Sequence, residues 1–433
     1  MSENVYIIGA AMSKFGKFLD RSINDLTGES LQKVLKDCDL TIKDIEAAWF
    51  SNTGWGMSDF QHCIRGQVAL SANGLDKIPI TNVENACASA STALHGAWTA
   101  VKAGLYDCAL AIGTEKVYNS DRKLMMQGFM AGTDVEVTTQ YIEQMKQEMK
   151  KKVATAADSG EKKEKKGGHS VFMDFYAMGA RKHMKEFGST QRQMAVIAAK
   201  AHNNSTLNPL AQYTFPQTVE QVMADYEVAY PLTRGMCSPV GDGTAAAVVC
   251  SEKFLKQHPS ARAVLIRASV LKSGSWMENT ITERAAQTAY DGAGLGPEDI
   301  NVAEVHDATA FGELYQTEKL GFCRQGEGGV FAESGATALD GKLPVNPSGG
   351  LLSRGHPIGA SGLAQIYELV TQLRGEAGKR QVKSPKIALA ENGGGTIGFG
   401  EAAMCIHILE KKTTGENFGE KTDDSGRKKT IPG

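Results

Sequence analysis

Residues 85–98 read NACASASTALHGAW and follow an apolar stretch, Ile78 to Val83. The stretch indicates a buried strand, and the small residues after Cys87 favour a helix that packs closely against its neighbours. A thiol at the start of a helix lies at the positive end of the helix dipole, which favours the thiolate. Cys87 is therefore predicted to be a nucleophile; the alternative is a buried core thiol, a common setting for free cysteine.

The pattern around this segment occurs twice in the chain. Residues 5–10 read as a strand, 22–38 as a helix, and 41–50 as a short helix that runs into a strand. The same order returns as a strand at 264–268, a helix at 282–293 and a helix–strand element at 296–305. The Cys87 turn then corresponds to the turn at 353–356, and each leads into a helix of small residues. Such a repeat predicts two similar α/β halves packed together.

The halves are predicted to span residues 1–255 and 256–410, with a polar tail at 411–433. The first half contains an inserted loop region at about 116–235, within which 173–187 and 190–203 read as helices. Residues 146–166 hold eight lysines and four acidic residues. We expect a solvated loop there, and the alternative is a contact site for a phosphate-bearing ligand or an acidic partner.

Composition excludes several classes of protein. The 433 residues carry a net charge of −2, with 42% hydrophobic residues, so no overall charge favours nucleic acid or a membrane surface. No apolar stretch is long enough to span a membrane, and the first residues lack the features of a signal peptide. The eight cysteines are scattered with no CxxC pair, which argues against a zinc site or a disulfide framework and favours a reducing cytoplasm.

Three further motifs carry candidate chemistry. His356 lies in GHPIGA at 355–360, on a turn before a helix, where a histidine can accept a proton from a thiol or simply cap the turn. His306 and Asp307 follow a strand, and strand ends are where ligands bind in α/β sheets; Asp307 is expected to cap the next helix. The segment Glu391-Asn-Gly-Gly-Gly follows a strand, so its backbone N–H groups can stabilise an oxyanion or form a plain turn.

Four motifs together resemble the thiolase superfamily over residues 4–410. They are Asn-x-Cys-x-Ser at Cys87, Gly-Asp-Gly at 241–243, Gly-His-Pro-x-Gly-Ala at 355–360 and Asn-Gly-Gly-Gly from Asn392. The His-Asp pair at 306 and 307 is similar to the sterol-carrier-protein-2-thiolase and archaeal-like branch. The resemblance implies a duplicated, five-layered α-β-α-β-α thiolase fold with a loop-domain insertion in the first half.

The resemblance also implies roles for single residues. Cys87 is expected to accept the acyl group, and His356 to activate it. His356 and His306 would form one oxyanion hole, and the backbone N–H groups of Cys87 and Gly393 a second one. The implied reaction is cleavage of a 3-oxoacyl-CoA by coenzyme A, a co-substrate, with no metal and no permanently bound cofactor.

The sequence departs from the common thiolase pattern at the residue that acts as acid and base. Most thiolases carry a second cysteine just before the Asn-Gly-Gly position or, in the His-Asp branch, sometimes after that pair, and this chain has Glu391 and Ala308 there. Glu391 can take over this role if burial raises its pKa; the alternative is a structural glutamate.

Finer expectations concern substrate and partners. The resemblance extends to thiolases of aromatic degradation that act on bulky or aromatic esters such as benzoylsuccinyl-CoA with a small DUF35-type subunit, which carries a zinc ribbon and an OB-fold. The Met- and aromatic-rich segments 55–62 and 125–149 are candidates to shape such a pocket or to form core. The family implies a homodimer. The alternatives are a Claisen-condensing or retro-aldol enzyme, or a non-catalytic scaffold that binds CoA esters.

Overall fold

The computed structural model describes residues 3–155, 170–260, 262–398 and 400–412. The strands are β1 Val5–Met12, β2 Ala47–Ser51, β3 Ile80–Val83, β4 Cys108–Glu115, β5 Glu227–Ala229, β6 Leu232–Thr233, β7 Gly243–Ser251, β8 Val264–Ser273, β9 Val302–Glu304, β10 Ile387–Ile397 and β11 Gly400–Lys411. The helices are α1 Ile23–Asp37, α2 Trp55–Asp59, α3 Arg65–Ser71, α4 Ser89–Lys102, α5 Arg122–Phe129, α6 Val135–Thr155, α7 Val171–Phe187, α8 Gln191–Ser205, α9 Val219–Ala224, α10 Glu252–Gln257, α11 Ile281–Ala293, α12 Ala310–Lys319, α13 Gly328–Glu333 and α14 Ser361–Arg374.

The duplication predicted from the sequence is visible in the sheet. The strand order is β3-β2-β4-β7-β1-β8-β11-β10-β9. In the first half β2 is parallel to β4, and β4, β7 and β1 then pair antiparallel. In the second half β9 is parallel to β10, and β10, β11 and β8 then pair antiparallel. The two sets of strands follow one topology, and they join where β1 pairs with β8 through Tyr6 and Ile7.

Three apolar clusters divide the fold into five layers. The central cluster joins α4 and α14 to one face of both sets of strands. A second cluster packs α1 and α3 on the opposite face of the first set, and a third packs α11 on the opposite face of the second set. The order is therefore helix, sheet, helix, sheet, helix, as predicted. The bounds of the halves, 1–255 and 256–410, stay a prediction.

The insertion differs from the loop region that we predicted. Residues 122–129 and 135–155 are helical, so the segment 125–149 and the first part of the lysine-rich run, 146–155, belong to helices. Residues 156–169 lie outside the described residues, as do 413–433 of the tail. Helices α7, α8 and α12 share a fourth apolar cluster, which attaches the insertion to the second half.

The two central helices approach each other very closely. A Cβ on Gly362, in the first turn of α14, would lie 2.2 Å from Ser91 Oγ, 2.7 Å from Ser91 N and 2.6 Å from Asn392 Oδ1. Backbone and buried polar atoms on three sides leave no room for a methyl group. Glycine at this position is what brings the start of α14 against α4.

We expect Gly362→Ala to lower the free energy of unfolding by about 1–3 kcal/mol, the usual cost of overpacking a core. Chemical denaturation followed by circular dichroism measures the change. The matched control is Gly292→Ala, because Gly292 is an exposed residue of α11 whose added Cβ meets nothing within 4 Å. It should stabilise the helix by about 0.5–1 kcal/mol. Equal stability of the two variants would contradict the close approach.

Candidate active site

The Cys87 turn is a strained segment just before α4. Ala86 has a φ of 48°, in the left-handed region that non-glycine residues avoid. Ser89 holds this conformation because its Oγ accepts a hydrogen bond from the Asn85 N–H at 2.8 Å and donates one to the Ala86 carbonyl at 2.6 Å. Such strain, roughly 1–3 kcal/mol, persists where the surroundings fix the backbone. The turn thereby directs the Cys87 side chain into a cavity.

His356 is the partner of this thiol. Its Nε2 lies 3.2 Å from Cys87 Sγ, and its Nδ1 lies 2.7 Å from Ser361 Oγ. The Ser361 hydroxyl donates its one hydrogen to the Pro357 carbonyl at 2.9 Å, so toward His356 it acts as an acceptor. We assign the proton of the neutral ring to Nδ1 from this network. The lone pair of Nε2 therefore faces the thiol, as a general base requires.

His306 is fixed in the opposite tautomer. Ser91 donates to Asn392 Oδ1 at 3.1 Å, so the Asn392 amide nitrogen donates to His306 Nδ1 at 3.0 Å. The proton of the neutral ring is then on Nε2, which makes His306 a hydrogen-bond donor. The Sγ atom of Cys87 and a ring nitrogen from each of His306 and His356 all lie within 4.8 Å of one another. The structure thus brings together the three side chains that the motifs predicted from distant parts of the chain.

Burial keeps all three groups neutral at rest. It raises the pKa of the Cys87 thiol to about 12, with smaller contributions from Glu115 and Glu84. It lowers the pKa of His306 to about 4, and that of His356 falls well below its usual range through burial and the neighbouring His306. Desolvation thus opposes the thiolate that the helix dipole was expected to favour. A neutral thiol here can become a nucleophile if His356, at hydrogen-bond distance, accepts its proton.

The backbone N–H groups of the glycine segment belong to strand β10 itself. The plain turn after the strand, one of the two alternatives, is not present at these residues. Residues 391–397 continue β10 and pair with β11. The amide of Gly395 hydrogen-bonds toward the Cys87 thiol and opposes the rise of its pKa. The predicted donor, Gly393, lines the same cavity. A Cβ on Gly394 would lie 2.4 Å from Ala88 N, so glycine allows this strand to reach the nucleophile turn.

Glu391 does not take the position expected of an acid/base group. Its side chain is fully buried and is not among the described residues that line the cavity. Glu391 Oε2 accepts a hydrogen bond from the His306 N–H at 2.8 Å. Burial raises its pKa to about 8, in the predicted direction. The contact with the His306 backbone makes Glu391 a residue that holds the histidine loop.

Asp307 was expected to cap a helix, and this is wrong. The cap of α12 is Thr309, whose side chain accepts from the Gly312 N–H. Asp307 instead accepts from the Leu351 N–H at 2.6 Å and is fully buried. It ties the His306 loop to the segment before His356.

The base of the His356 turn rests on buried charges. Arg354 Nη1 lies 2.9 Å from Glu304 Oε2, and both side chains are fully buried. At the other end of the turn, the Gly359 N–H donates to the Glu115 carboxylate at 3.0 Å. Glu115 also accepts from the backbone of Thr53 and Gly54. These contacts link the His356 turn to the ends of β9 and β4.

The cavity in front of Cys87 is large and mainly apolar, with a volume of about 1610 Å³. Apolar residues from both halves and from the insertion line it, among them Met57, Met125, Phe129, Phe172, Phe175 and Phe311. The segments 55–62 and 125–149 thus contribute to the pocket, and most of their residues belong to α2, α5 and α6.

Two polar residues in this wall were missed by sequence reasoning, Tyr176 of α7 and Glu401 of β11. Neither belongs to a motif, since Glu401 follows the glycine segment without a characteristic spacing. The two residues come together only in the folded chain, where both line this cavity.

Comparison with known proteins identifies the family. Residues 5–221 match the family Thiolase, N-terminal domain, and residues 266–410 match Thiolase C-terminal domain-like. The chain is 38% identical to an acetyl-CoA acetyltransferase of Methanothermobacter thermautotrophicus over 94% of this chain and 100% of the relative. It is 34% identical to human sterol carrier protein 2 over 95% of this chain and 75% of that protein. The chain belongs to the thiolase family and is an acyltransferase of that family.

Solved structures share the fold. The Ltp2-ChsH2(DUF35) aldolase superposes with a TM-score of 0.72 at 21% identity, covering 95% of this chain and 98% of that one. Human mitochondrial 3-ketoacyl-CoA thiolase in complex with CoA gives 0.68 at 18% identity, covering 95% and 98%. In the described residues no helix is both long and apolar enough to cross a membrane.

The neutral thiol has a measurable consequence for alkylation by iodoacetamide. Because only the thiolate reacts and the pKa of Cys87 is about 12, the rate at Cys87 should rise about tenfold per pH unit from pH 6 to 9. Peptide mass spectrometry follows Cys87, with the exposed Cys63 as an internal reference for the reagent. A rate that is already constant above pH 7 would indicate a resting thiolate–imidazolium pair and contradict the neutral site.

Proposed function

We propose that this chain is a thiolase that cleaves a 3-oxoacyl-CoA with coenzyme A through an acyl group on Cys87. The observation that supports this most directly is the 3.2 Å contact between Cys87 Sγ and the unprotonated Nε2 of His356. A nucleophile with a base at hydrogen-bond distance, and the base oriented by a third group, Ser361, is the arrangement of covalent acyl transfer.

The residues divide the reaction between them. Cys87 passes its proton to His356 and attacks the 3-oxo carbon. The His306 Nε2–H is already oriented to donate a hydrogen bond to the thioester oxygen of the substrate. This oxygen gains negative charge when the leaving acyl-CoA becomes an enolate. The backbone amides of the glycine segment and of Cys87 stabilise the oxyanion that forms at the attacked carbon. Coenzyme A then collects the acyl group, and His356 returns the proton to Cys87.

The relatives agree with CoA chemistry. Two of them are named acetyl-CoA acetyltransferase, at 38% and 34% identity, and one solved structure of the same fold holds CoA. Coenzyme A is accordingly the co-substrate, with no permanently bound cofactor.

All eight cysteines are unbonded, which supports the reducing cytoplasm as the compartment.

The proposed acyl group is bulky or aromatic, as in benzoylsuccinyl-CoA. A volume of about 1610 Å³ exceeds the roughly 300–1,000 Å³ of most ligand pockets. The aromatic lining, with Phe172, Phe175 and Phe311, offers flat apolar surface for such a group.

A Claisen-condensing or retro-aldol reaction is the second candidate. The aldolase among the structural neighbours has this fold, and the chain lacks the second cysteine that thiolases use. A retro-aldolase needs no acyl-cysteine, however, so the Cys87–His356 contact favours thiolysis. A non-catalytic scaffold would have no use for two histidines held in opposite tautomers.

The acyl-enzyme is the decisive prediction. Intact-protein mass spectrometry after mixing with 3-oxoacyl-CoA and acyl-CoA esters, aromatic ones included, should show an adduct on the wild type and none on Cys87→Ala. Free CoA should reverse it. The panel is run with and without a DUF35-type subunit, the proposed partner. No adduct from any ester, with or without that subunit, would exclude the thiolase mechanism and favour the retro-aldol or scaffold alternatives.

A homodimer is proposed as the core assembly. Strand β3 ends the sheet, pairs with β2 on one side, and exposes Thr81 and Asn82. Unpaired strand edges invite pairing with a second copy. Light scattering of the purified chain should give twice the mass of 46.3 kDa, and a monomer at micromolar concentration would contradict this.

A further inference from the structure

The proposed reaction needs a proton carrier at the α-carbon. When the carbon–carbon bond breaks, the leaving acyl-CoA enolate takes up a proton, and the incoming CoA thiol loses one. His356 is occupied with the Cys87 proton, and neither position 391 nor position 308 holds a cysteine. A residue of this chain must therefore carry the proton at the α-carbon, and its assignment rests on the proposed function.

Glu401 is the carboxylate nearest to the glycine segment in the cavity wall. It belongs to β11 and pairs in register with Thr396 of β10. A Cβ on Gly393 would lie 2.9 Å from Glu401 Cγ and 3.6 Å from its Cδ, so the side chain lies directly over that glycine. Gly395, two residues further along β10, hydrogen-bonds toward the Cys87 thiol. The carboxylate and the nucleophile therefore flank one short stretch of backbone.

Neighbouring groups hold Glu401 in place. Glu401 Oε1 accepts a hydrogen bond from Gln316 Nε2 at 2.9 Å. The Tyr176 hydroxyl lies close enough to both Glu401 and Cys87 that each contributes to raising the pKa of the tyrosine. Burial also raises the pKa of Glu401, which brings a carboxyl group closer to the neutral range where it can both give and accept a proton.

Glu391 differs from Glu401 in where its carboxyl group lies. Its carboxylate is bound to the His306 N–H, and it is not one of the described residues that line the cavity. The two carboxyl groups are nevertheless close to each other, and a negative charge on Glu401 contributes to raising the pKa of Glu391. The two glutamates therefore divide into one that holds the histidine loop and one that faces the substrate.

We propose that Glu401 is the acid/base residue that replaces the second thiol. The protonated carboxyl gives its proton to the α-carbon of the enolate as the carbon–carbon bond breaks, and it becomes a carboxylate. That carboxylate then accepts the proton of the CoA thiol, which attacks the acyl group on Cys87. The carboxyl is restored at the end of each cycle, and no further reactant is needed.

The test compares two routes to the same acyl-Cys87. A 3-oxoacyl-CoA forms it by breaking a carbon–carbon bond, whereas the matching acyl-CoA forms it by losing CoA thiolate, a good leaving group that needs little acid assistance. Rapid-quench mass spectrometry gives both rates, with the ester that labels the wild type as the probe. Glu401→Gln should slow the first route by at least about 100-fold and the second by less than about threefold.

Two further variants complete the design. Glu391→Gln keeps an acceptor for the His306 N–H and tests Glu391 as the alternative acid/base residue; it should slow the first route much less than Glu401→Gln does. Glu401→Cys restores a titratable group and should recover part of the carbon–carbon cleavage that Glu401→Gln loses. Melting temperatures of all variants are compared with that of the wild type.

The outcomes separate the two proposals. Equal slowing of both routes by Glu401→Gln, no slowing, or no recovery in Glu401→Cys would overturn the assignment, as would a larger loss of cleavage in Glu391→Gln than in Glu401→Gln. If the wild type forms acyl-Cys87 from neither ester, the thiolase function itself fails, whatever the Glu401 variants do.

Discussion

The contact between the first turns of α4 and α14 is the constraint on which the site depends. Gly362 lies so close to Ser91 and Asn392 that no side chain fits between them. This contact places the Cys87 turn, which precedes α4, beside the His356 turn, which precedes α14. Asn392, held by Ser91, then fixes His306. A separation of the helices by one methyl group would disturb three side chains together.

Burial determines how the site works. His306 and His356 are shielded from water, and Cys87 is half-buried at the wall of the cavity. The surroundings favour the neutral form of each group: a thiol, a histidine that accepts and a histidine that donates. In the proposed reaction, charge develops only after substrate has bound, when the oxyanion donors are already in position. Preorganised donors of this kind are most effective in a site that excludes water. The same exclusion raises the pKa of Glu391 and Glu401.

The glycine segment of β10 connects these features. Because Gly393 to Gly395 carry no side chains, the strand packs closely against both the nucleophile turn and Glu401, and all of them line the same cavity. The insertion helices cover the opening, with α7 contributing Tyr176 and apolar residues to the cavity. One short strand thus provides amide donors to the nucleophile and a support for the proposed proton carrier.

The sequence by itself determined the duplication, the two central helices and the three side chains that meet at the cavity, since strand and helix periodicity and short glycine-rich motifs are local properties. It also indicated the family, because four motifs in a fixed order are specific even where each one is weak. It was wrong for the cap at Asp307, and it did not show the desolvation of Cys87 or the contact of Glu391 with His306, because burial and side-chain direction depend on neighbours distant in the chain.

Only the tertiary structure decided the tautomers of His306 and His356, the neutral state of Cys87 and the position of Glu401. Each depends on contacts between residues far apart in sequence, such as Glu391 with His306 or Glu401 with Gly393. Desolvation is likewise a property of the packed protein rather than of a motif. The sequence therefore specified which groups react, and the packing of two halves specified how their protons are held.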